Sequence, residues 1–227
     1  MAEKLMQFMT GGCIALLIGM FETAMLYSQS DLCTPDCPNI EWSAEKVIII
    51  SMAPEYPGCD IEVKYVERAS CNGGTKRDFQ LTGAYSFLSG PSCDPIRTAL
   101  TTDGIAAANV VRLVNEKAMR TLITNHFLSL TTKPECGQGL QATYRTIHGR
   151  CFQRHSMQET VTTNGIYVSY VIEKCGEECC LWLFGTCYNS STQQVEIMLI
   201  TSPSSGPECP FSTIAPEVRC HGICFDT

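Results

Sequence analysis

Apolar and polar positions alternate most clearly over residues 61–87. Ile61, Val63 and Tyr65 interleave with Glu62, Lys64 and Val66, and beyond Asn72-Gly73-Gly74 the pattern resumes at Phe79, Leu81, Gly83, Tyr85 and Phe87. Successive side chains on a strand point to opposite faces, so these residues predict a hairpin with one apolar face, turned by residues that tolerate positive φ. Upstream, EKVIIISM (45–52) is a β-branched run closed by Pro54 and Pro57, expected to form a buried strand. Beyond a loop carrying Pro91 and Pro95 the period changes. Ala107, Val110, Val111, Val114, Ala118 and Leu122 recur at three- and four-residue spacings, while Arg112, Asn115, Glu116 and Lys117 fall elsewhere. One amphipathic helix is expected there, begun by Thr102 or Asp103 as N-cap and covering a sheet.

From Gln141 the period returns to two. QATYRTIHGRCF, GIYVSYVIEKC, CCLWLFGTCY and QQVEIMLIT are four strand-like runs separated by polar turns, which predicts an antiparallel meander. DLCTPDCPN (31–39) and the tail from Ser202 are punctuated by Pro and Cys, and the tail is expected to wrap the surface under covalent restraint. The fold class expected is α+β and β-dominated: an antiparallel hairpin and meander with one long amphipathic helix, stapled by disulfides. It occupies residues 31–227, either as one domain or as two lobes, 31–133 and 134–227.

The first thirty residues read as a signal peptide. Lys4 precedes an apolar run from Gly11 to Phe21 that is short for a bilayer span, and Ser28 and Ser30 match a small-x-small cleavage site before Asp31. An uncleaved membrane anchor is the alternative. Cys13 has no aliphatic residue just upstream of the kind a lipoprotein box requires. Without the leader, the 16 basic and 23 acidic residues become 15 and 21, a net −6. A mildly acidic chain with no Lys/Arg block argues against nucleic acid as a partner, and loss of the leader would leave no stable membrane span.

Export decides the chemistry of the cysteines. Of the fifteen, fourteen would remain after cleavage: Cys33, Cys37, Cys59, Cys71, Cys93, Cys136, Cys151, Cys175, Cys179, Cys180, Cys187, Cys209, Cys220 and Cys224. An even number in an exported chain predicts a disulfide framework of up to seven bridges, each contributing about 2–4 kcal/mol. KCGEECCLWLFGTC (174–187) concentrates four of them. Adjacent strand residues face opposite ways, so Cys179 and Cys180 are expected to pair with different cysteines, Cys180 lying on the face of Trp182, Phe184 and Tyr188. Zinc is disfavoured, because the cluster lacks two closely spaced ligand pairs. A dithiol redox centre and covalent haem are excluded: the chain contains neither Cys-x-x-Cys nor Cys-x-x-Cys-His. No cofactor is expected.

Catalytic motifs are missing too. There is no Gly-x-Ser-x-Gly, His-Glu-x-x-His, P-loop or Gly-x-Gly-x-x-Gly. His126 ends the helix, where the dipole favours a partly positive imidazole; His148 falls in a strand, His155 in the turn after it, and His221 in the tail. A hydrolase would need two or more of His148, His155, Asp94 and Asp103 to converge. Glu177-Glu178 reads as a solvated turn, and Asn189-Ser190-Ser191 as an exposed turn with a glycosylation-acceptor pattern.

LITNHFLSL, ECGQGLQATYRTIHGRCF and CGEECCLWLFGTCY, within residues 103–190, resemble uncharacterised exported cysteine-rich proteins of environmental bacteria in the Bacteroidota–Chlorobi–Ignavibacteria neighbourhood. The resemblance implies export and disulfides and carries no assigned activity or catalytic residue.

What remains is surface chemistry. KVIIIS, VSYVIE and VEIMLI are β-prone and nearly uncharged, and any of them at a sheet edge is a template for pairing with another chain. The expectation is a secreted, non-enzymatic structural protein, a filament or matrix subunit that self-associates, with Val47, Ile48, Ile49 and Ile50 as the assembly strand. The alternative is a glycan- or peptide-binding module stacking ligand on Tyr167, Tyr170, Trp182 and Tyr188. A secreted hydrolase is the third reading.

Overall fold

A computed structural model describes residues 40–70, 74–102, 104–139, 141–149, 151–174, 179–201 and 221–222; the side chains of 152–156, 173, 174, 179, 221 and 222 fall outside that description. Residues 1–30, expected to be a leader, the 31–39 stretch, Asn72 and Gly73, Asp103, Glu177 and Glu178, and most of the tail lie outside the described residues.

The chain is a strand-dominated mixture of helix and sheet. Its elements are β1 (Lys46–Ser51), β2 (Asp60–Arg68), β3 (Arg77–Leu88), α1 (Asp94–Thr102), α2 (Gly104–Ser129), β4 (Ala142–Gly149), β5 (Cys151–Thr162), β6 (Gly165–Lys174), β7 (Cys179–Asn189), β8 (Gln194–Thr201) and β9 (His221–Gly222). All nine strands join one sheet. Its path runs β8-β7-β4-β3-β6-β5-β9, with β2 and then β1 added to the other edge of β3.

The predicted hairpin is β2 with β3. Ile61, Val63, Phe79, Leu81, Tyr85 and Phe87 are buried on its apolar face. At Gly83 the strand bends: φ is +79°, and a Cβ there would come within 2.7 Å of Ile172 Cγ1. The register with β2 shifts at the same place, from Val63 opposite Tyr85 to Tyr65 opposite Leu81. The other edge of β3 changes partner there as well. Arg77–Gln80 pair in parallel with β4, and Ala84–Leu88 pair antiparallel with β6.

Parallel pairing of β3 with β4 requires a crossover, and the helices supply it. Here the expectation of a single helix is corrected: two helices precede β4, and residues 94–102, read as loop, form α1. Pro95 misled the reading, since proline is well placed in a first helical turn, where no intrahelical donor is lost. Ile96 and Leu100, one turn apart, are α1's buried residues. On α2 the six residues of the apolar stripe are all buried, and so is Asn115, which its polarity had placed elsewhere. Tyr85 explains it: its hydroxyl donates to Asn115 Oδ1 at 2.5 Å beneath the helix.

The second half is more interleaved than a meander. β5–β6 and β7–β8 are antiparallel hairpins, but β4 lies between β3 and β7. Residues 153–162, lacking a clean alternation, belong to β5, so His155 is a strand residue and not in a turn. β1 is corrected in another way. It pairs only with β2 among the described residues, and Val47 and Ile49 are 54% and 63% exposed, so it is an edge strand and not a buried one.

Trp182, Tyr144, Tyr170, Phe79, Phe87, Phe127 and Phe184 are nearly solvent-free between helix and sheet. Each contributes on the order of 2–3 kcal/mol by burial, so packing, more than helix propensity, holds the layers together. Substituting Gly83→Ala is expected to destabilise the chain by about 2 kcal/mol, from the left-handed backbone and the Ile172 contact together. Denaturant unfolding of the oxidised protein checks this.

Candidate functional site

Two disulfides are complete among the described residues. Cys59 and Cys93 join the end of the β1–β2 connection to the residue before α1, and Cys136 and Cys187 join the segment after α2 to β7. The second is prepared by the backbone: Cys136 N–H donates to Tyr188 O at 2.9 Å and Tyr188 N–H to Pro134 O at 2.8 Å, laying residues 134–136 along β7. Cys151 and Cys180 are disulfide-bonded as well. Cys180, Trp182 and Phe184 are buried on the helix side of β7, while Cys187 meets the covering segment on the other side. The side chain of Cys179, and all of Cys33, Cys37, Cys71, Cys175, Cys209, Cys220 and Cys224, lie outside the described residues. Glu196 sits with Cys136 and Cys187 in a group whose ligand atoms lie within 4.8 Å, yet both sulfurs are spent on each other.

Of the aromatics proposed for stacking, Trp182 and Tyr170 are fully buried and belong to the core. Tyr170 stacks on Tyr85 with centroids 4.8 Å apart, and Trp182 lies 4.7 Å from the His148 ring. Tyr188 is half-buried against the core, and the Tyr167 hydroxyl donates to Glu62. These four side chains therefore line no common groove. His148 directs Nδ1 at the Gly149 carbonyl, 2.8 Å away, while Asp94 accepts from Ser89 Oγ at the start of α1. Asp103 and the side chain of His155 are outside the description. A cleft of ≈ 300 Å³ beside the Cys59–Cys93 bridge is lined by Gly58, Asp60, Leu88 and residues 89–93, with Asp60 its one ionisable side chain.

Two polar constellations escaped the sequence reading. The first is a charged row across three strands. Asp78 stands opposite Arg68 on β2 and opposite Arg145 on β4. Its carboxylate is fully buried and accepts from Arg68 Nε at 3.2 Å, Arg145 Nε at 3.1 Å and Thr75 Oγ1 at 3.2 Å, with a further bond from Arg145 Nη2. Arg68 also lies 4.4 Å over the Trp42 ring. One signal existed: residues 68 and 78 are equidistant from Gly73 at the turn, so hairpin symmetry alone sets them opposite each other.

The second constellation surrounds His126. Arg77 Nε donates to His126 Nε2 at 3.3 Å, so the ring proton sits on Nδ1, facing the Tyr144 hydroxyl at 3.1 Å. Burial, with the Arg77 charge beside it, holds the imidazole below its ordinary pKa, which reverses the dipole-based expectation of a partly positive ring. Burial also pushes the Tyr144 phenol up to about 12. Both groups stay neutral near pH 7, where they buttress β3 and β4 against the last turns of α2.

The remaining unspent surface is at the ends of the sheet. β8 pairs only with β7 among the described residues, as β1 does only with β2. Val195, Ile197 and Leu199 turn toward the core, leaving Met198 41% and Ile200 46% exposed on the other face. VSYVIE, by contrast, is interior: β6 lies between β3 and β5. Among the described residues no helix is long and apolar enough to cross a membrane. No protein-family model, curated protein or solved structure matches the chain.

Replacing Asp78 with Asn removes the charge that both arginines share, and is expected to cost about 3–5 kcal/mol of stability by chemical denaturation. A depressed His126 pKa means the unfolded chain binds the proton more readily. The stabilisation from keeping the ring neutral is therefore complete above the unfolded pKa and falls as pH drops through about 6.5 toward the lower folded value. Melting curves from pH 7.5 to 5 should show that fall, and His126→Gln should flatten it.

Proposed function

We propose that this chain is a secreted structural protein, a subunit of an extracellular or cell-surface filament or matrix, assembled through its strand edges and hardened by disulfides. One observation carries the reading. Among the described residues the sheet has three ends, β1, β8 and β5 with its two-residue partner β9, and the first two hold Val47, Ile49, Met198 and Ile200, four of the nine large hydrophobic side chains exposed among the described residues. Soluble monomers ordinarily guard such edges with charge or proline. The bridges at Cys59–Cys93 and Cys136–Cys187 support an oxidising compartment. A durable subunit needs resistance to unfolding more than it needs a cleft, and Trp182 and Tyr170, which a binding module would display, are given to the core.

Electron microscopy and sizing of the same sample, purified without reductant, test the reading. Ordered polymers, or a mass that rises steeply with concentration, are expected; a monomer at every concentration overturns it.

A further inference from the structure

Independently of any assembly, we infer that the end of α2 carries an acid-operated clasp: protonation of His126 transfers Arg77 from the helix to Glu67 on β2 and releases the last turn of α2 from the sheet. The contact between Arg77 and His126 exists in one protonation state only. Arg77 Nε donates to His126 Nε2 at 3.3 Å, and a guanidinium has no acceptor and keeps its charge throughout the neutral and acid range. Nε2 must therefore supply a lone pair. Once protonated, it would set an N–H and a positive charge against another N–H and positive charge. The ring can hold its proton or Arg77, and not both.

The displaced guanidinium has a place to go. Arg77 Nη1 already lies 3.9 Å from Glu67 Oε1, within ion-pair reach but too far for a hydrogen bond. The two side chains are 33% and 16% exposed, so a short movement at the water boundary completes the pair, beside the Lys46 ammonium that Glu67 holds at 2.6 Å. The other ring nitrogen does not oppose the change. Nδ1–H faces the Tyr144 hydroxyl at 3.1 Å and donates to it whether or not Nε2 is protonated. Tyr144 is fully buried and stays neutral, and its ring and that of Phe79 meet the imidazole T-shaped at 5.5 and 6.2 Å, fixing its position. Among the described residues, Arg77, Glu67 and Tyr144 thus face the ring from β3, β2 and β4, with Lys46 and Tyr65 beyond Glu67. When Arg77 has left, the dipole of α2 favours the charged ring. What is lost is the polar tie from the end of the helix to β3. The turn ending at Ser129, whose hydroxyl donates to the His126 carbonyl at 2.6 Å, then opens locally, and the Cys136–Cys187 bridge limits how far the opening spreads.

Nuclear magnetic resonance of the full oxidised chain, isotope-labelled and titrated from neutral to mildly acid pH, tests the clasp. The His126 ring should titrate below the ordinary histidine value of about 6.5, and the Arg77 Nε–H signal should shift with the same midpoint. Protection factors of the Phe127–Ser129 amides should fall several-fold through that midpoint while those of β2, β3 and β4 hold. In His126→Gln the Arg77 signal and the helix-end protection should stay constant over the same range. Arg77→Met, a second variant should His126→Gln fail to fold, should raise the ring's midpoint and abolish the change in protection. An Arg77 signal that stays still while His126 titrates overturns the clasp, because the ring then takes its proton in place. A signal that moves equally in His126→Gln overturns it too, since the proton then belongs to another group. So does protection lost across the whole sheet at that midpoint, which makes the acid effect global.

Discussion

A strand has two edges, and β3 has three neighbours. β2 follows it along one side, so β4 and β6 must share the other, one before Gly83 and one after. The bend at that glycine makes the sharing geometrically tolerable, because positive φ and the closeness of Ile172 both favour a residue without a Cβ. Everything distal depends on it: β7 and β8 hang from β4, and β5 and β9 from β6. Among the described residues the sheet branches at β3 and does not close, and its three arms end at β1, at β8 and at β5 with β9.

Such a topology is expensive to assemble, since β3 meets β4 only after the helical crossover has been ordered. The two described disulfides sit at the ends of that crossover. Cys93, just before α1, is tied back to Cys59, and Cys136, just after α2, is tied to Cys187 on β7. With sequence separations of 34 and 51, each would restrict the unfolded chain by about 4 kcal/mol on the loop-entropy view. The Asp78 row makes a different contribution. A buried carboxylate between two arginines adds little net energy over an apolar row, but any slip of β2, β3 or β4 would strand a charge in the sheet. Hydrophobic burial supplies the stability, the bridges limit the alternatives of the unfolded chain, and the charged row penalises the wrong register.

Period-two and period-3.6 patterns made β2, β3, β6, β7, β8 and the buried stripe of α2 readable. They failed where a side chain answered to a partner distant in sequence. Asn115 is buried because Tyr85, thirty residues earlier, needs an acceptor. His126, on α2, is held neutral by burial against the sheet and by the charge of Arg77 on β3. α1 was hidden by Pro95, whose helix-starting and helix-breaking roles look alike in one dimension. The order of strands was the least legible feature, since alternation states which face a residue takes and says nothing of which strand lies beside it. The aromatic set Tyr167, Tyr170, Trp182 and Tyr188 met the same limit: period two placed Trp182 with Phe184, but only the crossover puts a helix over them.

The edges show how core and surface requirements combine. β1 pairs with β2 through six consecutive residues without a shift, and no proline or bulge interrupts it. Its inward residues, Ile48 and Ile50, are explained by α2 and the core; Val47 and Ile49 have no such explanation. β-propensity alone would accept threonine at those outer positions, which would lower the exposed apolar area while keeping the branched side chain. The same holds at Met198, where a flexible apolar side chain faces solvent beside Glu196 on an otherwise regular part of β8. Apolar residues at two of the three described ends of one branched sheet, on the face away from the core, are costly to a lone molecule in water. Pairing with a further strand would lower that cost without removing it, since outward side chains would shield one another laterally and the edge backbone groups would gain partners.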